Sequence, residues 1–189
     1  MKYSTSFRIW HWLNAIVILG LVGTVLLRKS FLSWRTNSEL IMSKLAEIDI
    51  SITSEQAKVI AKAIRAGMWE WHYILGYALL ALILFRIFLY FKDSSKKEDF
   101  NSLNTHKKAV RISYYVVYAT IIFMGISGFS IYFYEELGFS KDIAGNIKDI
   151  HELVYHILLY FVPLHIVGVF IAENRDEKGI VSTMINGKE

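Results

Sequence analysis

Four long apolar stretches constrain the fold of this chain more than any other feature. They cover residues 7–27, 71–91, 110–134 and 150–172. A helix needs about 20 apolar residues to cross a bilayer, and each stretch reaches that length. We therefore expect an all-α integral membrane protein, a bundle of four transmembrane helices that forms one domain over residues 1–189. No small-residue cleavage site follows the first stretch, so we expect a spanning helix there and not a signal peptide.

The connection 28–70 is too long for a simple turn. We expect two amphipathic helices in it, one from about 38 to 48 capped by Asn37 and one ending near residue 66. Thr53 and Gln56 have the spacing of a capping box at the start of the second helix. We expect the segment to lie outside the membrane, as a lid on its surface or as a docking surface for a partner.

The charge pattern is that of a membrane protein and not of a nucleic-acid-binding protein. The net charge is +4, and the basic residues flank the apolar stretches. The connection 92–109 holds five lysines: Lys92, Lys96, Lys97, Lys107 and Lys108. The connection 135–149 holds only two basic residues. The positive-inside rule then predicts a multi-pass protein of the inner (cytoplasmic) membrane with both termini in the cytoplasm. The basic residues of 28–70 argue the other way, but long connections weigh less in that rule.

Histidines lie inside the apolar stretches, where ionisable side chains are costly and are presumed functional. His151 and His165 are 14 residues apart, nearly four helical turns. They therefore share one helix face and lie roughly 21 Å apart along the axis. His11 begins the first stretch and His72 begins the second. His156 points about 140° away from His151, and we expect it to be hydrogen-bonded in the bundle interior.

The alternating direction of the four helices sorts these histidines by depth. His72 and His151 both begin helices that run inward, which places them near the outer surface. His11 and His165 fall near the inner surface. Two imidazoles that face each other across a bundle are axial ligands for a haem iron, and such a six-coordinate site suits electron transfer. Zinc is the competing metal, but it needs about four ligands at one point, and neither depth offers a convincing third.

The lack of cysteine narrows the choice of cofactor. Without cysteine the chain has no disulfides, no cysteine-ligated iron–sulfur cluster and no thioether-linked c-type haem. Any haem must be held without covalent attachment.

Three further residues are candidates for haem contact. Gly76 lies one turn from His72, where a missing side chain leaves room for a macrocycle. Arg86 is 14 residues beyond His72, so we expect it to face a propionate of the inner haem; the alternative is snorkelling to the membrane surface. Arg8 lies three residues before His11 and shares its face with Asn14.

Three motifs carry a resemblance to a known family. They are R-x-x-H-W-x-N at 8–14, W-H-x-x-x-G-Y at 71–77 with Arg86 beyond it, and H-x13-H at 151–165. Together they resemble the bacterial cytochrome b561 and nickel–iron hydrogenase cytochrome b superfamily. The tail STMINGK at 182–188 is similar to the hydrogenase branch. The resemblance implies a four-helix bundle with two non-covalent b haems that exchanges electrons with membrane quinone. The motifs assign as haem ligands His72 with His151, and His11 with His165.

Three functions are consistent with this sequence. The first is an electron-transfer subunit that relays electrons between quinone and an external redox protein, such as a hydrogenase or a multihaem cytochrome. The second is a stand-alone quinone oxidoreductase that uses a small reductant such as superoxide. The third is a non-redox transporter or scaffold. We expect the first, a subunit of an oxidoreductase complex and not a self-contained enzyme, with no catalytic residues of its own.

Overall fold

The computed structural model describes residues 3–92, 99–175 and 177–187. Lys96, Lys97 and Lys188, which the sequence analysis used, lie outside these residues. The described residues form six helices: α1 (Thr5–Lys29), α2 (Trp34–Ala46), α3 (Ser54–Lys92), α4 (Thr105–Tyr132), α5 (Lys141–Asn174) and α6 (Ile180–Asn186). Helices α1, α3, α4 and α5 are long and apolar enough to cross a membrane. The expected all-α membrane fold with four spanning helices is confirmed.

Helix α3 differs most from the expectation. The sequence predicted an external helix ending near residue 66 and a separate span from 71, but one helix runs from Ser54 to Lys92. A lone glycine such as Gly67 costs only about 1 kcal/mol in a helix, and no proline follows it, so nothing interrupts the hydrogen bonds. The capping box is confirmed. The backbone N–H of Gln56 donates to Thr53 Oγ1 at 3.2 Å, and the backbone N–H of Thr53 donates to Gln56 Oε1 at 2.8 Å.

Two other helix starts also differ from prediction. Asn37 does not cap α2, because the helix begins at Trp34 and Asn37 lies inside it. The side-chain amide of Asn37 instead donates to the Phe31 carbonyl at 3.0 Å. Helix α5 begins at Lys141 and not near 150, with the Ser140 hydroxyl accepting from the Ile143 amide. Hydropathy locates the part of a helix that is in lipid, whereas caps decide where the helix begins.

The chain forms two compact units: Ala15–Ala78 is one, and Met1–Asn14 with Leu79–Glu189 is the other. We call them the insertion unit and the core unit. Helices α1 and α3 contribute to both. In the core unit α4 packs against α5, and α5 against α6. The expectation of a single membrane domain over 1–189 stays a prediction.

In the insertion unit, α1 and α3 come close together at a glycine. A Cβ at Gly20 would lie 2.8 Å from Leu75 Cδ1, so a larger residue there would require the Leu75 side chain to move. Near the N-terminal end of α3, Ala57 and Ala61 are completely buried. This close approach of α1 and α3 determines which side chains meet one turn further along α1.

In the core unit, the short helix α6 was not predicted. The carboxylate of Glu173, at the end of α5, accepts from the Gly179 amide at 3.0 Å and from the Val181 amide at 2.9 Å. A carboxylate at a helix N-terminus satisfies amides that have no partner within the helix and interacts favourably with its dipole. The polar tail is therefore a folded element that continues from α5.

Candidate functional site

His11 of α1 and His165 of α5 lie close together in the core unit. Their ring centroids are 6.1 Å apart, and the ring planes are inclined by 59°. Both side chains are half-buried. The structure thus brings together the two histidines that the sequence assigned to the inner side.

Each of these rings is held by an aromatic neighbour on its own helix. Phe161, one turn before His165, stacks on it with a centroid distance of 5.4 Å. Trp12 meets the His11 ring edge-on at 5.5 Å. Asn14, one turn beyond His11, is buried, and its Oδ1 has no hydrogen-bond partner among the described residues. Each histidine ring therefore has one aromatic contact on its own helix.

The separation of His11 and His165 fits a shared metal. Imidazole nitrogens bind metal at about 2.0 Å, so two rings on opposite sides of one ion have centroids about 6 Å apart once the ring radii are added. The observed 6.1 Å matches that spacing. Two imidazoles at this separation could hold a haem iron between them, and the assignment of His11 and His165 as haem ligands stays a prediction.

His72 of α3 is oriented by α1 within the insertion unit. Thr24 Oγ1 lies 2.7 Å from His72 Nδ1. Trp69, one turn earlier on α3, meets the ring edge-on with a centroid distance of 5.6 Å. Thr24 is itself buried and donates its hydroxyl hydrogen to the Leu21 carbonyl at 2.6 Å.

His151 of α5 has the same kind of partner, supplied by α4 in the core unit. Ser127 Oγ lies 2.7 Å from His151 Nδ1 and donates to the Phe123 carbonyl at 2.6 Å. The adjacent Gly128 gives the ring room, since a Cβ there would lie 3.4 Å from His151 Cε1. The contact between α4 and α5 therefore decides the orientation of this ring.

The pairing of His72 with His151 stays a prediction from the sequence, because each histidine belongs to a different unit. Among the residues that the structure describes, no group of three or more His, Asp or Glu side chains could hold a metal ion. An axial haem site needs only two such ligands.

Arg8 contacts the C-terminal segment. Its guanidinium donates to the Ile185 carbonyl at 3.1 Å and to Thr5 Oγ1 at 3.3 Å, and its Nε is buried without a partner in the described chain. Trp12, one turn on, donates to the Met184 carbonyl at 3.2 Å. A haem contact by Arg8 stays a prediction, while its contacts with α6 are clear.

Arg86 lies among three aromatic rings of the core unit. Its guanidinium carbon is 5.1 Å from the Phe7 ring centroid and 5.3 Å from those of Trp10 and Tyr118. Its Nε donates to the Tyr118 hydroxyl at 3.2 Å. These are cation–π distances, so protein groups engage the guanidinium. The contact with a propionate stays a prediction.

The remaining candidates have simpler surroundings. His156 Nδ1 lies 3.0 Å from the Leu153 carbonyl of its own helix, and its side chain is half-buried. The expected hydrogen bond is therefore present, but it is local and not deep in the interior. His106 is exposed, as expected. A Cβ at Gly76 would meet no atom within 4 Å, which is compatible with space for a macrocycle.

The sequence analysis missed Thr24 and Ser127. No motif marks them, and a hydroxyl in a spanning helix usually bonds back to its own helix, as both of these also do. The signal that could have found them is a Ser or Thr that the predicted topology places at the same depth as a predicted histidine.

Four long apolar helices define a multi-pass membrane protein. The chain belongs to the prokaryotic cytochrome b561 family, which it matches over residues 2–187. It is therefore a membrane b-type cytochrome that functions in electron transfer. No curated protein and no solved structure matches the chain.

Proposed function

We propose that this cytochrome holds two b haems and relays electrons across the bilayer between an external redox protein and the quinone pool. The His11–His165 pair would hold the inner haem, and the His72–His151 pair the outer one. Because the two histidines of α5 are nearly four turns apart, the two proposed sites would lie in series along one helix.

One observation carries the proposal: the 6.1 Å separation of the His11 and His165 rings, which suits axial ligation from both sides. Thr24 and Ser127 add support at the second pair, because each hydrogen-bonds the Nδ1 atom of a predicted ligand. Metal-ligating histidines characteristically have such a partner on the other ring nitrogen.

In this proposal the residues of the chain bind the haems and orient the histidine ligands. Haem, when bound, supplies a one-electron ferric–ferrous couple. Two imidazoles leave no open coordination position, which favours electron transfer over binding of oxygen or substrate. Phe161 and Trp12 contact the rings of the inner ligands and would restrict their rotation.

The partner and the orientation are part of the proposal. We place both termini in the cytoplasm, the protein in the inner membrane, and the segment 28–70 outside, where it would dock a redox protein such as a hydrogenase or a multihaem cytochrome. Reporter fusions after residue 97 and at the C-terminus should then read cytoplasmic, and a fusion near residue 50 should read external. The opposite pattern would exchange the sides of the two haems while keeping their pairing.

The central experiment is a haem count per purified chain, combined with a reduced-minus-oxidised spectrum. We expect two b haems in the wild type. His165→Ala and His11→Ala should each remove the same single haem, and His151→Ala should remove the other. His156→Ala is the matched control, on the same helix as two ligands, and should keep both haems. A wild type with one haem or none, or loss of haem in the control, would overturn the assignment.

A further inference from the structure

We infer that Thr24 and Ser127 are positioning residues that select the tautomer of His72 and His151 and increase the electron donation of these ligands to haem iron. This inference rests on the proposed function, since it takes both histidines as ligands. No sequence motif identifies Thr24 or Ser127, and their two hydroxyls have the same role toward a histidine ligand.

The tautomer of His151 follows from counting protons on Ser127. The hydroxyl has a single hydrogen. Its oxygen lies 2.6 Å from the Phe123 carbonyl, which has no proton to offer, so the hydroxyl must donate its hydrogen there. It can then only accept from the atom 2.7 Å away on its other side, His151 Nδ1. The His151 proton is therefore on Nδ1, and Nε2 is the basic nitrogen.

Thr24 repeats the arrangement on a different pair of helices. Its hydroxyl lies 2.6 Å from the Leu21 carbonyl and 2.7 Å from His72 Nδ1. The same count places the His72 proton on Nδ1. Both hydroxyls are buried, Thr24 at 7% exposed and Ser127 at 4%, so no bulk water competes for either bond.

These hydrogen bonds have an electronic consequence. An acceptor on Nδ1–H gives the imidazole some imidazolate character, makes Nε2 more basic and fixes the ring orientation. A more basic axial ligand stabilises ferric over ferrous iron and lowers the midpoint potential. Among the described residues, no comparable bond reaches a ring nitrogen of His11 or His165. The Thr24 and Ser127 hydroxyls therefore act on one predicted pair and not on the other.

The test is a redox titration of the purified dihaem protein, with haem content and low-spin electron paramagnetic resonance spectra. Ser127→Ala and Thr24→Val each remove one acceptor. Each should raise the ratio of reduced to oxidised haem severalfold, up to about tenfold, at a fixed ambient potential, a positive shift of at most about 59 mV for one electron. The same haem should shift in both variants, with altered g values and weaker retention. Thr24→Ser keeps the hydroxyl and should restore wild-type behaviour.

Ser130→Ala is the matched control. Ser130 lies on α4 like Ser127 and donates to its own helix at the Ile126 carbonyl, 2.9 Å away, but it is partly exposed and has no histidine contact. It should leave both haems unchanged. Unchanged potentials and spectra in Ser127→Ala and Thr24→Val, in a protein that retains both haems, would overturn this inference alone. A wild type that binds no haem would overturn the proposed function as well.

Discussion

Replacing Arg86 with Gln should destabilise the core unit more than loss of any surface cation. The guanidinium contacts three rings, at 5.1 Å from Phe7 and 5.3 Å from Trp10 and Tyr118. A cation–π contact contributes about 0.5–1 kcal/mol at exposed sites and about 2 kcal/mol when desolvated. The contributions of three rings that share one half-buried cation do not simply add, so we take roughly 1–2 kcal/mol for the three contacts together.

The hydrogen bond to Tyr118 adds to this sum. A bond from a charged donor contributes about 1.5–3 kcal/mol, with the lower value apt for a half-exposed pair. The expected loss for Arg86→Gln is then roughly 2–4 kcal/mol. Since 1 kcal/mol shifts the melting temperature of a chain this long by about 2–4 °C, a fall of about 4–16 °C should follow. Tyr118→Phe keeps the ring and should cost about 1.5 kcal/mol, the value taken for this hydrogen bond.

The assay is thermal unfolding of purified protein in detergent, followed by circular dichroism, with Arg35→Gln as the matched control. Arg35 makes the same type of contact with one ring, 5.2 Å from the Trp34 centroid, but it is exposed. Its replacement should cost less than about 1 kcal/mol. Equal losses in Arg86→Gln and Arg35→Gln would refute the energetic argument.

The same Arg86 variant also tests the propionate contact. A nearby cation stabilises the reduced haem relative to the oxidised one, so its loss should lower the midpoint potential of the inner haem and leave the outer haem little changed. A shift of the outer haem alone would refute the placement. No shift in either haem would leave Arg86 with a purely structural role.

Three further predictions concern the packing around these sites. Gly187→Ala should release α6 from α1, because Gly187 has a φ of 77° and an added Cβ would lie 2.9 Å from the Arg8 guanidinium; faster proteolysis of the C-terminal segment is the readout. Thr53→Ala should destabilise the start of α3 by about 1 kcal/mol, measured as faster amide exchange in its first turns with the span unaffected. Trp10→Phe should cost about 1–3 kcal/mol of unfolding free energy, because the Leu82 carbonyl loses a 2.9 Å bond from a buried indole; a thermal midpoint equal to that of the wild type would contradict it.

Local sequence patterns predicted some features well because their causes lie within a few residues. The capping box at Thr53 depends on a spacing of three, and it formed as expected. Helix ends were predicted less well. A helix was expected to end near residue 66, but α3 continues through Gly67, because the cost of one glycine is small beside the hydrogen bonds of an uninterrupted helix.

The sequence alone determined the membrane class, the four spans and the candidate histidines, because a bilayer requires long apolar helices and makes ionisable groups within them costly. Tertiary structure alone decided what surrounds each side chain. Ser127 is 24 residues from His151, and Thr24 is 48 residues from His72, so only the packing of one helix on another brings these hydroxyls to Nδ1. The aromatic rings around Arg86 and the contacts between Arg8 and α6 likewise join distant segments. No pattern along the chain encodes such contacts, because they depend on helix rotation and close approach.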